Sequence, residues 1–218
     1  MKVEIIKDIL AANDAIAEEN RRLFKENGAL VLNLMSSPGA GKTTLLEKSI
    51  SVLKGRVNIG VIEGDIQTEL DATRISKEGV EVVQINTGSA CHLDSNMIHQ
   101  AIEKLDLSNI DLLFMENVGN LVCPAEFRIG EDMKIMISSI TEGDDKPLKY
   151  PLMFRESQVL IINKIDLLPY CDCDLKRLKE NSLKINSNLN IFEISCKTES
   201  GLDSWYNWLV KKVEENKK

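Results

Sequence analysis

The sequence predicts an α/β fold in three layers, with a mostly parallel β-sheet, helices on both of its faces and one additional helix at the N-terminus. Two observations lead to this prediction. After Gly28, short apolar segments alternate with segments of helical periodicity, which is the order expected of parallel strands connected by helices. Before Gly28, apolar residues recur at steps of three and four, which places them on one face of a helix.

The first predicted element is a helix over residues 3–26, which ends at Asn27-Gly28, a typical helix stop. Asn13 and Asn20 occupy positions of its repeat that are usually apolar. Two interpretations of this helix remain open. Either it packs against its own domain, as short helices generally must to be stable, or it is a docking helix for a partner protein.

The remaining elements alternate along the chain. The segments predicted as strands are 29–35, 57–63, 80–86, 111–116, 159–163 and 191–195. Several of them are apolar throughout, as expected of strands that helices cover on both sides. The segments predicted as helices are 42–54, 68–78, 92–105, 174–187 and 202–216. Residues 68–71 have the pattern of a capping box, residues 133–141 are predicted as an additional strand, and residues 142–151 as a Gly- and Pro-containing loop.

Composition and charge exclude several classes of protein. The chain has 218 residues, of which 27 are Lys or Arg and 34 are Asp or Glu, so its formal net charge is −7. Such a chain is not expected to bind nucleic acid through general attraction to phosphate. It has no run of about 18 apolar residues, so we expect no membrane helix, and its N-terminal segment lacks the pattern of a signal peptide. We therefore expect a cytoplasmic protein whose five cysteines are thiols or metal ligands.

A phosphate-binding loop is predicted between the strand 29–35 and the helix 42–54. Residues 36–44 read Ser-Ser-Pro-Gly-Ala-Gly-Lys-Thr-Thr and match the pattern GxxxxGK(S/T), except that Ser36 stands at the first glycine. We expect Lys42 to reach the β- and γ-phosphates and Thr43 to hold Mg²⁺. The other nucleotide contacts expected in this loop are Pro38, Gly39, Ala40, Gly41 and Thr44. The serine leaves open only the backbone angle at the entry to the loop.

A guanine-binding site is predicted after two later strands. Asn163, Lys164 and Asp166 form the pattern NKxD. The carboxylate of Asp166 can accept from the two N–H donors of guanine, a pair that adenine lacks. Lys164 is expected to lie along the base and Asn163 to brace the loop. Ser195, Cys196 and Lys197 resemble the SAK loop that contacts guanine in such proteins, so the nucleotides expected are GTP and GDP.

Two acidic strand ends are expected beside the phosphates. Asp65 lies just after the second predicted strand, 57–63, at the edge where ligands bind such sheets. We expect Asp65 to orient water or Mg²⁺ and count it, with Lys42, as catalytic; the alternative is an acid exposed to solvent. Glu116 and Gly119 form ExxG, which resembles the DxxG of GTPases. Thr43, Asp65 and Glu116 are thus the candidate Mg²⁺ ligands.

A second metal site is suggested by Cys91, His92 and Cys123. Thiolate and imidazole ligands suit Zn²⁺ or Ni²⁺ rather than Mg²⁺. The spacing alone does not distinguish such a site from cysteines buried in the core, which are common. Cys171 and Cys173 form a C-x-C pair that the sequence favours as part of an ordinary loop.

Taken together, these motifs resemble the HypB family, the nickel-insertion GTPases of [NiFe]-hydrogenase maturation, which belong to the SIMIBI class of P-loop GTPases. The resemblance extends from about residue 3 to the C-terminus. The segments that carry it are 37–44, 63–68, 91–93, 116–124, 141–151 and 163–166. It implies a P-loop GTPase domain over residues 28–218 and an N-terminal helical extension over residues 1–27. The CxxCGC motif and the histidine-rich tract of some members are absent from this sequence, so we expect only the site at Cys91, His92 and Cys123.

The resemblance also implies an activity and partners. It makes Cys91, His92 and Cys123 ligands of Ni²⁺ or Zn²⁺ at a dimer interface, and it implies a homodimer promoted by GTP. We expect Lys149, in the basic loop 146–149, to reach the nucleotide of the partner subunit; the alternative is that this loop is an ordinary solvated one. A HypA-type nickel chaperone and the hydrogenase large subunit are the implied partners. Slow GTP hydrolysis is expected because no catalytic Gln or Arg is evident. The alternatives are a urease-maturation GTPase, whose Cys-Pro-His order is absent here, and a metal-independent regulatory GTPase.

Overall fold

The computed structural model describes residues 2–65 and 70–217. The strands are β1 Leu30–Ser36, β2 Ile59–Asp65, β3 Glu81–Asn86, β4 Leu112–Glu116, β5 Met133–Ser139, β6 Val159–Asn163 and β7 Asn190–Glu193. The helices are α1 Lys2–Glu26, α2 Lys42–Leu53, α3 Leu70–Ser76, α4 Ser95–Ile102, α5 Cys123–Glu126, α6 Lys146–Lys149, α7 Pro151–Glu156, α8 Leu175–Ile185 and α9 Leu202–Asn216. Short 3₁₀ helices occupy Leu107–Asn109, Ile140–Glu142 and Ile165–Tyr170.

The seven strands form one sheet in the order β3-β2-β4-β1-β5-β6-β7. Every neighbouring pair is parallel, so the sheet is parallel throughout the described residues rather than mostly so. β1 lies between β4 and β5, with Leu34 opposite Glu116 and Ile135. The carboxyl ends of β1, β2 and β4 therefore meet at one edge of the sheet, where ligands bind in folds of this kind.

Helices cover both faces of the sheet, which confirms the predicted three layers. Leu32 and Leu34 of β1 pack in a core with residues of α2 and α9 on one face. Because side chains alternate along a strand, Val31 and Met35 point to the other face, into cores that include residues of α1 and α4 and of α7 and α8. In the described part of the chain, no helix is long and apolar enough to cross a membrane.

The N-terminal helix packs against its own domain. Asn13 and Asn20 are buried, with 7% and 0% of their surface exposed. The Asn13 side chain accepts from Ser95 N at 3.0 Å and donates to the Arg128 carbonyl at 2.8 Å. The Asn20 amide donates to the Ser95 carbonyl at 2.8 Å. The asparagines therefore take polar partners within the domain, which confirms the first interpretation of this helix, and a docking role stays a prediction.

The structure corrects two predicted segments. The helix predicted over 92–105 begins only at Ser95, because the Asp94 side chain caps it by accepting from Met97 N at 2.8 Å. The predicted loop 142–151 contains the helix α6, and the strand before it ends at Ser139. Pro147 and Pro151 lie in the first turns of α6 and α7, where proline is favoured and does not mark a loop. The predicted capping box needs residues 68 and 69, which lie outside the described residues.

Candidate functional site

The loop between β1 and α2 has the form of a phosphate cradle. Gly39 and Gly41 have φ angles of +74° and +105°, a region that favours glycine. A Cβ on Gly41 would also collide with the Asn163 amide, so the loop lies directly against the end of β6. α2 begins at Lys42, which directs its N-terminal backbone N–H groups toward the cavity in front of the loop.

Ser36, the departure from the P-loop pattern, has an ordinary backbone. Among the described residues other than glycine, only Lys164 and Glu199 have positive φ, so the glycine of the pattern is not required at this position. The Lys42 ammonium donates to the Ser36 hydroxyl at 3.0 Å. Burial lowers the pKa of Lys42, whereas the charge of Glu116 acts in the opposite direction. The serine therefore contacts the lysine expected to bind phosphate.

A cavity of about 550 Å³ opens in front of the loop. Its lining includes the predicted residues Pro38, Gly39, Gly41, Lys42, Thr43, Thr44, Asp65, Glu116, Gly119 and Lys164. Ala40 of the loop is buried. Sequence analysis missed three charged residues of the lining, Glu63, Asp71 and Arg74, as well as Gly64, Asn117 and Val118. The signal for Glu63 was its position two residues before Asp65, which places both side chains on one face of β2.

Two buried carboxyl groups lie beside Lys42 and Thr43. Glu116 accepts from the Thr43 hydroxyl at 2.7 Å, and it stands opposite Glu63 in the register of β2 and β4. Oε2 of both glutamates is buried without a hydrogen-bond partner among the described residues. Burial raises the pKa of Glu63 to about 8, with help from the charge of Glu116. Burial also raises the pKa of Glu116 to about 7, although Lys42 lowers it.

The chemistry of these donors fits Mg²⁺. The cation prefers oxygen ligands from carboxylates and hydroxyls together with phosphate oxygens. Thr43, Asp65 and Glu116 supply such oxygens around one cavity, and the unpartnered carboxylate oxygen of Glu116 is the group that a cation would satisfy.

Gly119 brings a second loop against the phosphate cradle. A Cβ at this position would lie 3.0 Å from Pro38 Cα, which is tighter than most such contacts and would require a small shift of the backbone at Pro38. The close approach therefore favours glycine at position 119, and the loop that follows β4 touches the loop that follows β1. A backbone shift of one loop at this point would therefore displace the other loop.

The predicted base-binding residues meet in a second cavity of about 380 Å³, next to the first. The lining includes Asn163, Lys164, Asp166, Cys196 and Lys197. Asn163 donates to the Ala40 carbonyl at 2.9 Å, so it braces the phosphate loop as expected. The Lys164 ammonium donates to the Gly39 carbonyl at 2.7 Å, and Lys164 lines this cavity.

Ser195 and Cys196 support this cavity in different ways. The Ser195 hydroxyl donates to Asp166 and accepts from the backbone N–H groups of Lys197 and Thr198 at 3.2 and 3.0 Å. The hydroxyl thereby orients the carboxylate expected to read guanine. Cys196 is buried, and burial raises the pKa of its thiol to about 11, so this thiol is an uncharged packing group.

Lys149 lies apart from both cavities. It is exposed on α6 and forms an ion pair with Asp145, one turn earlier in the same chain. Its expected contact is with the nucleotide of a partner subunit, so that role stays a prediction.

Cys91, His92 and Cys123 form one cluster. Their ligand atoms all lie within 4.8 Å of one another, and no other such group of three His, Cys, Asp or Glu side chains occurs in the described residues. The two sulfur atoms are 2.9 Å apart, and Cys91 Sγ is 3.7 Å from His92 Nδ1. Cys91 is exposed and Cys123 half-buried, so the alternative of core cysteines is wrong for this pair. Two sulfurs and an imidazole form a donor set that fits Ni²⁺ or Zn²⁺.

The surroundings of the cluster set its protonation. The hydrogen bond with Cys91, followed by burial, raises the pKa of Cys123. Burial lowers the pKa of His92, which keeps the imidazole neutral and able to bind metal. The His92 ring packs on Phe127, with centroids 3.9 Å apart.

Asn117 and Asn120 connect the cluster to the nucleotide cavity. Asn117 lines that cavity, and its side-chain oxygen accepts from the backbone N–H groups of Leu93 and Val118, both at 3.0 Å. Asn120 donates to the Cys91 carbonyl at 3.2 Å. The loop that contains Gly119 therefore holds the segment that carries Cys91.

The arrangement of these elements defines the class of the protein. A glycine-rich loop joins a central strand to a helix, acidic strand ends face it, and a pocket with an aspartate and a lysine lies alongside. These are the fold and the phosphate-binding site of a P-loop NTPase.

Comparisons with known proteins identify the family within this class. The family model of the CobW/HypB/UreG nucleotide-binding domain matches residues 30–193. The hydrogenase maturation factor HypB of Rhizobium leguminosarum bv. viciae is 49% identical over 207 residues, which cover 95% of this chain and 69% of that protein. The chain therefore belongs to the HypB hydrogenase maturation factors of the CobW/HypB/UreG family. The resemblance found in the sequence is thus confirmed.

Two solved structures agree with this assignment. The crystal structure of HypB from Helicobacter pylori in complex with nickel has a TM-score of 0.89 and 42% identity, and the match covers 95% of this chain and 97% of that one. The crystal structure of hydrogenase maturation factor HypB from Archaeoglobus fulgidus has a TM-score of 0.88 and 37% identity, with coverage of 94% and 100%.

Proposed function

We propose that this chain is a cytoplasmic, GTP-hydrolysing metallochaperone that binds Ni²⁺ or Zn²⁺ at Cys91, His92 and Cys123. In this role it supports the GTP-dependent insertion of nickel into a [NiFe]-hydrogenase. One observation carries the proposal: three soft donor atoms within 4.8 Å of one another lie on segments held by a loop of the nucleotide cavity. The HypB family membership of the chain supports it, as does the nickel in the crystal structure of the Helicobacter pylori protein.

Each group of nucleotide-binding residues has its own role. Backbone N–H groups of the loop 38–44 and the Lys42 ammonium bind the phosphates. Asp166 selects guanine, while Asn163 and Ser195 orient the loops around it. When bound, Mg²⁺ neutralises phosphate charge; Thr43, Asp65 and Glu116 would hold it. Asp65 orients the attacking water. We assign these functions to residues 28–218 and treat residues 1–27 as a helical extension.

Slow intrinsic hydrolysis follows from the charges around the cavity. Arg74 lines the cavity, but its guanidinium binds Glu47 and Asp71. An arginine engaged in this way does not neutralise charge on the γ-phosphate. In GTPases where an arginine does so, it accelerates hydrolysis by about 10³–10⁵-fold. We therefore expect slow GTP hydrolysis that requires Mg²⁺.

Assembly into a homodimer is the part of the proposal that involves Lys149. Among the described residues, the exposed lysine is paired only with Asp145, which directly precedes α6. A surface ion pair of this kind contributes little stability and can exchange for a phosphate. Light scattering with GDP and with a non-hydrolysable GTP analogue tests this part. We expect a larger mass with the analogue, and an identical monomer mass in both states would contradict it.

Coupling between nucleotide and metal follows from the contacts of Asn117. A shift of residues 117–119 on loss of the γ-phosphate would displace Leu93, whose N–H binds Asn117, and with it the adjacent His92. By linkage, nickel and GTP would then change each other's affinity by the same factor, typically about 5–150-fold. Equal nickel affinities in the GDP and GTP-analogue states would contradict this coupling.

Nickel titration by equilibrium dialysis, with and without the GTP analogue, is the main test of the proposed function. A wild-type chain that binds GTP but no nickel would favour a metal-independent regulatory GTPase. A deletion strain assayed for hydrogenase and urease then distinguishes the proposed function from urease maturation, and loss of hydrogenase activity is expected. Co-purification tests the HypA-type chaperone and the hydrogenase large subunit as partners.

A further inference from the structure

Lys134 is a buried lysine that takes no part in the nucleotide site. It lies on β5, where it is paired in register with Asn33 of β1, and only 6% of its surface is exposed. Burial of an ammonium group is costly unless the group is fully hydrogen-bonded. The partners of Lys134 therefore indicate what its burial stabilises.

The ammonium of Lys134 binds the helix that carries a metal ligand. Its Nζ donates to the carbonyls of Pro124, Ala125 and Phe127, at 3.4, 2.8 and 3.1 Å. These carbonyls lie within and just beyond α5, whose first residue is Cys123. The last carbonyls of a helix have no partner within it, and a helix of four residues is not stable by itself.

Glu131 supplies the charge that balances Lys134. Its Oε1 lies 3.7 Å from Lys134 Nζ, and both side chains are buried. Its Oε2 accepts from Ile129 N at 2.8 Å, so the same carboxylate also holds the chain just after Phe127. Lys134 and Glu131 thus fasten both ends of the segment 124–129 to the rigid sheet.

The fastened segment sets the geometry of the metal cluster from two sides. Cys123 begins it and lies 2.9 Å from Cys91. Phe127 lies further along it, and its ring packs on His92 at 3.9 Å. A shift of α5 would move one metal ligand directly and remove the ring contact that orients another.

We propose that Lys134 is a positioning residue of the metal site, which holds Cys123 in reach of Cys91 and Phe127 against His92 by binding three carbonyls of the segment between them. The inference rests on the proposed function, in that Cys91, His92 and Cys123 bind nickel. Partners outside the ligand set of metal sites typically affect metal affinity by about 10–100-fold.

The test compares the wild-type chain with Lys134→Met, which has a similar shape but cannot donate, and Lys134→Gln, whose amide keeps two donors. Nickel affinity is measured by equilibrium dialysis without nucleotide, and the thiolate-to-nickel absorption band in the near ultraviolet reports the ligand geometry. We expect Lys134→Met to weaken nickel binding by about 10–100-fold and to shift the band, Lys134→Gln to have a smaller effect, and the affinity for a GTP analogue to stay within about twofold.

Asn186→Leu is a matched control. The Asn186 amide donates to the carbonyls of Phe154, Arg155 and Ser157, at 3.3, 3.2 and 2.8 Å. It therefore binds the end of α7 as Lys134 binds the end of α5, but away from the metal ligands. We expect this variant to lower the midpoint of thermal unfolding while nickel affinity and the absorption band stay as in the wild type.

Several outcomes would overturn the inference. Wild-type nickel affinity and an unshifted band in Lys134→Met would do so, and if that variant does not fold, the same result in Lys134→Gln decides. An equal loss of nickel affinity in Asn186→Leu would show that general stability, not positioning, is responsible. If the wild-type chain itself binds no nickel, the proposed function fails before the role of Lys134 is tested.

Discussion

The nucleotide cavity and the metal cluster are neighbours that are built in different ways. In the nucleotide cavity, Lys42, Thr43 and Glu116 are buried and lie at the ends of strands or at the start of a helix. In the cluster, Cys91 is exposed and lies in a loop, and its partner Cys123 is 32 residues away in sequence. A strand end is positioned by the whole sheet, whereas the segment that carries Cys91 is held by hydrogen bonds with Asn117 and Asn120. From this difference we expect that each site can be disrupted separately when its affinity is measured in the absence of the other ligand.

The largest effect is expected from Lys42→Ala. The substitution removes the ammonium that we propose stabilises charge on the transferring phosphate, so GTP hydrolysis should fall by about 10³-fold or more. Nickel affinity measured without nucleotide should remain unchanged, because Lys42 makes no contact with the cluster and donates to Ser36. Phosphate release assays and equilibrium dialysis check the two halves of this prediction. A parallel loss of nickel affinity would contradict the separate construction of the sites.

The converse change is Cys123→Ala, which removes a ligand of the cluster. Nickel affinity should fall by more than about 100-fold, since even the loss of an outer partner costs about 10–100-fold. GTP affinity in the absence of nickel should stay close to that of the wild type. Cys171→Ala is the control, because this half-buried cysteine lies outside the cluster. Wild-type nickel binding by Cys123→Ala would exclude the cluster as the metal site.

A more selective change inside the nucleotide cavity is Asp166→Asn. The amide can donate where the carboxylate only accepts, so preference should move from guanine to xanthine. We expect GTP affinity to fall by about 100-fold, the equivalent of one hydrogen bond to a charged group at about 1.5–3 kcal/mol. Competition binding of GTP, xanthosine triphosphate and ATP measures this change. Equal affinity of the wild type for ATP and GTP would contradict the guanine assignment.

The smallest effect expected is the pH dependence of metal binding. The pKa of Cys123 is raised by its hydrogen bond with Cys91 and by burial, so this thiol is protonated at neutral pH and must lose its proton to bind nickel. Affinity should therefore fall as pH decreases, by about tenfold per pH unit for each proton displaced. The lowered pKa of His92 keeps this ligand neutral over the same range. Equilibrium dialysis at two pH values near neutrality checks the sign, and equal affinities would count against thiol ligands.

Much of the fold was predictable, because its signals are local. The strands appear as short apolar runs, since both faces of the sheet are covered, and the observed β4 and β6 agree with the predicted segments to within one residue at each end. The predicted boundaries are wrong where one residue type occurs both in loops and at the ends of helices. Pro147 and Pro151 predict a loop but lie in the first turns of α6 and α7, and Asp94 ends a loop by capping α4. Caps depend on which residue reaches which N–H group, and a sequence pattern does not contain that information.

The sequence by itself determined the class of nucleotide site, because a contiguous loop of backbone N–H groups with Lys42 and Thr43 carries its chemistry wherever the strand before it lies. Only the tertiary structure decided that Cys91 meets Cys123, that Glu63 is buried opposite Glu116, and that Lys134 binds α5. These contacts depend on the strand order of the sheet, which places the ends of β2, β4 and β1 side by side although long segments separate them in the chain. The burial of these residues and the distances between them follow from that order and are not contained in the residue types themselves.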